Sequence, residues 1–207
     1  MTDKLSLYNG ALAAVGERKL KNLTENREPR YILDDVWGRD AIKTQLEAGL
    51  WNFATRTQKV EHDQSISTAF GYTYAFEHPT DWVRTATIST DEYLTRAEKN
   101  YEDQGGFWWC DTTPLYVAYV SDDSQYGLDY SVWPTNFTRM VELWIAKMIN
   151  PRLSHTRTKQ HDIEEQWKWW RSQAKGSDAM DDAIKELPPG TWSTSRNSRS
   201  SRGDRGS

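Results

Sequence analysis

The chain is predicted to be α+β: a helical bundle built from both ends of the sequence, with a β-rich insertion in the middle. Three observations point there. Apolar residues recur at helical spacing over about residues 3–50 and again over about 133–187. Between about 54 and 121 the period drops to two, as in strands. Beyond residue 188 the apolar pattern stops. Segregated helices and strands of this kind favour α+β over an alternating α/β fold.

The elements follow in order. Leu5, Tyr8, Leu12 and Val15 form one helix face, and Gly16 is placed to end that helix. Glu17–Leu23 is a polar connector with Leu20 and Leu23 as apolar anchors. A second helix is predicted from the N-cap residue Asn26, with Pro29 in its first turn, where a missing N–H is harmless. Its stripe of Ile32/Leu33, Val36/Trp37, Ala41/Ile42, Leu46 and Leu50 carries it to about Gly49, leaving Trp51 and Phe53 to pack under the exit.

In the middle third, Tyr72, Tyr74 and Phe76 alternate with Thr73, Ala75 and Glu77, the pattern of a half-buried strand. Thr55–Glu61 and Trp82–Ile88 are weaker strands. Leu115–Val120 is apolar at both parities and reads as a strand buried on both faces. Tyr101–Thr113, rich in Asp and Gly, reads as a loop holding an aromatic knot of Phe107, Trp108 and Trp109.

Helical spacing resumes after Pro134 with Phe137, Met140/Val141, Trp144/Ile145 and Met148/Ile149, and Pro151 should end or kink that helix. Ile163, Trp167, Trp170 and Ala174 define the next, up to Gly176, and Met180, Ala183, Ile184 and Leu187 a short continuation. Residues 1–187 therefore read as one domain. Residues 188–207 read as a flexible basic tail, disordered unless a partner orders it.

Leu, Ile, Val and Phe supply 35 of the 207 residues, or 17%, below the ~20% associated with disorder when net charge is high. Net charge is only −4, and 11 Trp and 10 Tyr can fill the core instead. No apolar run is long enough to span a membrane, and no secretory signal pattern opens the chain. The single Cys110 excludes an internal disulfide and multi-cysteine metal sites, and suggests a reducing, intracellular origin. Four Arg and one Asp give the tail +3, which leaves −7 on residues 1–187. Such an acidic body is ill suited to gripping a phosphate backbone.

Signatures of chemistry are missing. There is no phosphate-binding glycine loop, dinucleotide fingerprint or nucleophile elbow, and Cys110 has no local histidine partner. His155 and His161 are six apart, off any shared helix face, while His62 and His78 flank loops. Asp122–Gly127 resembles a calcium loop only briefly, because Tyr126 and Trp133 stand where oxygen ligands belong; a turn is expected. The carboxylate pairs Asp34/Asp35 and Glu164/Glu165 read as solvated helix faces. Trp167-Lys168-Trp169-Trp170-Arg171 interleaves rings and cations as a single-strand binder does, but its helical spacing favours core or subunit contact. No catalytic, cofactor-binding or metal-ligating residue is expected.

The order of short motifs resembles the tail tubular protein A-like proteins of short-tailed bacteriophages. The resemblance runs through Lys4–Leu12, Val15-Gly16-Glu17 and Leu20–Glu25, then Glu28-Pro29-Arg30, Leu33–Trp37 and Leu50–Ala54. It continues through Tyr74–Pro79, Asp81–Arg84, Tyr119–Asp122 and Tyr130–Pro134, and covers roughly residues 4–155. It implies a head-to-tail adaptor of the virion neck, synthesised in the bacterial cytoplasm. About twelve copies would form a ring between the portal protein and a tail tubular protein B-like nozzle, with genomic DNA passing through the lumen without specific binding. It implies no membrane partner and no cofactor.

In related connectors a C-terminal segment extends onto the portal. Trp192 would therefore be an aromatic anchor, and Arg196, Arg199, Arg202 and Arg205 charge partners. Loops around His62–Phe70 and Gly105–Asp111, with Phe107, Trp108, Trp109 and also Trp169, are candidates for nozzle or subunit contacts. A ring needs a heterologous interface, which several Trp are expected to serve, and the acidic body suits a DNA conduit. The isolated chain is expected to be monomeric or weakly associated. A DNA-binding or packaging-associated protein is the alternative, and a cell-wall hydrolase the more distant one.

Overall fold

A computed structural model describes residues 2–68, 71–154 and 156–181. Among them three helices come first: α1 (Lys4–Val15), α2 (Glu28–Trp37) and α3 (Ala41–Glu47). Six strands follow: β1 (Thr55–Val60), β2 (Tyr74–Glu77), β3 (Trp82–Ser89), β4 (Tyr101–Gln104), β5 (Phe107–Cys110) and β6 (Leu115–Ser121). Helices α4 (Thr135–Leu153) and α5 (Arg157–Asp181) close the described chain. The fold is mixed α+β.

Local chemistry accounts for the helix ends. Asp3 and Ser6 exchange side-chain and backbone hydrogen bonds in a capping box at the start of α1, and Gly16 ends it in the left-handed conformation. Asn9 then holds the connector by bonding both the N–H and the carbonyl of Leu20. Leu20 is buried as expected, whereas Leu23 is exposed and anchors nothing.

The single helix expected from Asn26 to Gly49 is two helices. Arg27, not Asn26, occupies the N-cap of α2, without a side-chain bond. The chain breaks at Gly38–Asp40, where Asp40 takes φ 54°. The reason lies in the stripe itself: Val36 and Ala41 are five apart, so a continuous helix would rotate one of them out of the core. Asp tolerates the left-handed turn that re-aims the stripe.

Two antiparallel three-stranded sheets form, in the orders β1-β6-β3 and β2-β5-β4. The stretch expected as a loop at Tyr101–Thr113 is mostly the β4–β5 hairpin. Gly105 and Gly106, at φ 67° and 84°, make its two-residue turn, which requires positive φ at both positions. Pro151 sits in the last turn of α4, which ends at Leu153. By contrast α5 runs straight through Gly176 to Asp181, past its expected end. Ala183, Ile184 and Leu187 lie outside the described residues, as does His155.

There are two cores. The larger gathers α1 to α5 around the central α4, with Val83 and Val120 reaching it from the first sheet. The smaller lies between the sheets and comprises Phe76, Ile88, Trp108, Cys110, Leu115, Val117 and Tyr119. β6 therefore serves both, as its doubly apolar sequence foretold: Val120 faces the helices, Leu115, Val117 and Tyr119 the second sheet.

Candidate interaction surface

The polar groups of the β region are largely committed to one another. Asp81, in the turn before β3, accepts hydrogen bonds from Ser121 Oγ (2.5 Å), Arg56 Nη1 (2.9 Å) and the Tyr119 hydroxyl (3.1 Å). Burial opposes ionisation of Asp81, but these three bonds outweigh it and hold its carboxyl below the ordinary range. Burial, with the Asp81 charge beside it, pushes the Tyr119 phenol up.

A second knot joins the two sheets. The Thr85 hydroxyl accepts from the indoles of Trp82 (3.1 Å) and Trp108 (2.9 Å) and donates to Asp103 (2.9 Å). The His78 ring lies between the same two indoles, 4.2 Å from each centroid. Its Nε2 is 3.3 Å from Asp103 Oδ1 yet makes no hydrogen bond there. Burial lowers the His78 pKa, and the Asp103 charge only partly offsets this, so the ring is held neutral. Sequence reading placed His78 beside a loop. The pattern that could have exposed it is His78 and Trp82 four residues apart across a turn.

The Asp34/Asp35 pair, expected on a solvated face, divides its work. Asp34 accepts from Tyr8 (2.9 Å) and Arg30 (2.6 Å), tying α1 to α2, while Asp35 meets Arg39 and, across to α4, Arg152. Asp122–Gly127 is a turn, closed by the Gly127 N–H on the Ser121 carbonyl. Among the described residues no group of three or more His, Cys, Asp or Glu could hold a metal ion.

The residues expected at subunit or nozzle contacts are divided between two sites. Phe107, Trp108 and Trp109 stand together on β5, not on a loop. Trp108 is fully buried in the smaller core, which corrects its expected role as a contact. Trp109 is 7% exposed and donates to the Gln104 carbonyl; Phe107, on the same outer face, is half-buried. Trp169, on α5, is 54% exposed and meets Trp170 edge-on, so it alone of the four presents a broad free surface. Trp192, Arg196, Arg199, Arg202 and Arg205 lie outside the described residues.

Burial within the chain removes four indoles from any interface. Trp51, Trp108, Trp109 and Trp133 are buried, and Trp37, Trp82, Trp144, Trp167 and Trp170 are half-buried in this chain. With few aliphatics in the chain, large rings supplement the Leu, Ile, Val and Ala of its interior.

Among the accessible surfaces are the outer side of α5 and the groove at its end. Trp169 and Lys168 face outward, with Lys168 near Glu164 at 3.5 Å. Where α5 passes the end of α3, Ala48, Gly49, Leu50, Trp51, Arg84, Lys175, Asp178 and Ala179 line an open groove. Sequence reasoning missed it because Leu50, Arg84 and Lys175 are far apart along the chain. No helix is long and apolar enough to cross a membrane among the described residues. No family model matches the chain, and no curated protein matches it in sequence.

Proposed function

We propose that this chain is a head-to-tail adaptor of a short-tailed bacteriophage, a structural protein of the virion neck. About twelve copies form a ring that joins the portal to the nozzle and surrounds the path of the DNA. The observation that carries this reading is the ordered run of motifs over roughly residues 4–155, from Lys4–Leu12 to Tyr130–Pro134. The arrangement of helices at both ends with strands between them is in keeping with the helical bundle and β-rich elaboration of that family. The engagement of Asp81, Tyr119 and Thr85 within their own hydrogen-bond networks favours a scaffold over a catalyst.

The test is to mix the full chain with its portal and count subunits by electron microscopy. A closed ring on the portal is expected, and its absence overturns the reading. A chain lacking Thr191–Ser207 is expected to lose portal binding; unchanged binding removes the role assigned to Trp192 and the tail arginines.

A further inference from the structure

The groove at the end of α5 has a volume of about 320 Å³ and two chemistries. Ala48 and Leu50 supply its apolar part over the buried Trp51, with Leu50 45% exposed. Its charge comes from Arg84 on β3, which also donates to the Glu47 carbonyl at 3.1 Å, and from Lys175. Burial, then the nearby charges of Arg171 and Arg84, hold the Lys175 ammonium below the ordinary lysine range. Arg84 and Lys175 thus share one groove on a chain that is −7 over its first 187 residues. Asp178 lines the groove too, but it accepts the Asn52 N–H at 2.9 Å. Crowded like charges beside an apolar wall suit a ligand that offers a carboxylate and a ring together.

The same chain carries such a ligand. Beyond Ser89, β3 extends into a narrow turn closed by the Ser89–Ala97 bridge and by the Glu98 N–H on the Ile88 carbonyl. Asp91 stiffens the turn by accepting from Ser89 Oγ, the Thr95 N–H and the Thr95 hydroxyl. At its tip Tyr93 is 78% exposed, beside the exposed Glu92. Arg96 lies on the returning arm, its carbonyl accepting from Ser89.

The tip cannot serve the groove of its own chain. Arg84 and Ser89 are five residues apart on an extended strand, about 17 Å at ~3.3 Å per residue, and the turn projects further. We infer that the Asp91–Tyr93 tip of one copy docks into the Leu50–Arg84–Lys175 groove of the next. Tyr93 lies against Leu50 and Ala48, and Glu92 meets Lys175 and Arg84. Tip and groove are different surfaces at opposite ends of β3, so the contact is heterologous and propagates from copy to copy. This inference rests on the adaptor reading, which calls for such a contact.

Cysteine cross-linking of the full chain tests it. Tyr93→Cys with Ala179→Cys, mildly oxidised at high concentration and on the portal, is expected to give a ladder of linked species beyond dimer. Each single variant gives dimer at most. Cys110 is buried and stays out of the reaction. Lys175→Glu and Glu92→Lys should each weaken self-association at least tenfold, and combining them should restore it. Absence of the ladder, or a link confined to one chain, overturns the inference. Normal rings from both charge-reversed single variants place the subunit contact elsewhere and leave the adaptor reading standing. If the unaltered chain forms no ring on the portal, the adaptor reading falls, and this inference with it.

Discussion

The helical core and the inter-sheet core are built on different principles. Around α4 the interior is mostly aliphatic, with Leu7, Leu12, Leu33, Leu46, Val141 and Ile149 all buried and rings of Trp51 and Phe137 at one end. Between the sheets a few large rings dominate, and polar knots centred on Asp81 and Thr85 hold the strands in place. Helices satisfy their own backbones, so apolar burial does most of the joining there, with polar ties such as Tyr8–Asp34 and Asn150–Gln160 beside it. Short strands must be held in register by their side chains, and four-residue β2, β4 and β5 leave little ladder to do it. The β region should consequently be the one sensitive to pH and to loss of single polar atoms.

The largest effect expected is from truncating either core. Trp108→Ala and Phe137→Ala should each cost about 3–5 kcal/mol. Because β6 belongs to both cores, urea unfolding followed by far-UV circular dichroism and by tryptophan fluorescence should remain coincident in both variants. Separate transitions would make the two regions independent.

A smaller change probes the α1–α4 contact. A Cβ on Gly10 would overlap the Glu142 carboxyl, whose pKa burial raises despite the nearby Arg139. Gly10→Ala should cost about 1–3 kcal/mol by overpacking, and adding Glu142→Ala should recover most of it in a denaturation series.

Acidification should separate the regions next. His78 has a lowered folded pKa, so its contribution is present above its unfolded value of about 6.5 and lost as pH falls through the folded value. Asp81 is also lowered, so its contribution is present above about 3.9 and lost as pH falls below that. His78→Phe should flatten the first fall in stability and Asp81→Asn the second; an unchanged profile in either variant removes that residue from the account. Smallest of all, Trp169→Ala should shift the stability of the isolated chain by less than about 0.5 kcal/mol. A larger loss by thermal melting would place Trp169 in the chain's own packing.

Some of the molecule was legible because the signal is local. The period of α1, α4 and α5 and the double apolarity of β6 follow from how a helix or a central strand must bury its faces. The β4–β5 hairpin was lost to its own composition: Asp and Gly weigh towards loop, although Gly105-Gly106 between two short runs is also the mark of a tight turn. The α2–α3 break is concealed by a stripe whose members are buried or half-buried from Ile32 to Leu46, whereas Leu50, expected to close it, is exposed beyond the end of α3.

By itself, then, the sequence determined the order of helices and strands, the poverty in aliphatics that large rings supplement, and the change in character at residue 188. Tertiary structure alone decided that Trp108 lies in the core while Trp169 faces out, that His78 is clasped by two indoles, and that Arg84 and Lys175 share one groove. Periodicity is a property of neighbours along the chain. Burial and the convergence of charge depend on residues that only folding brings together.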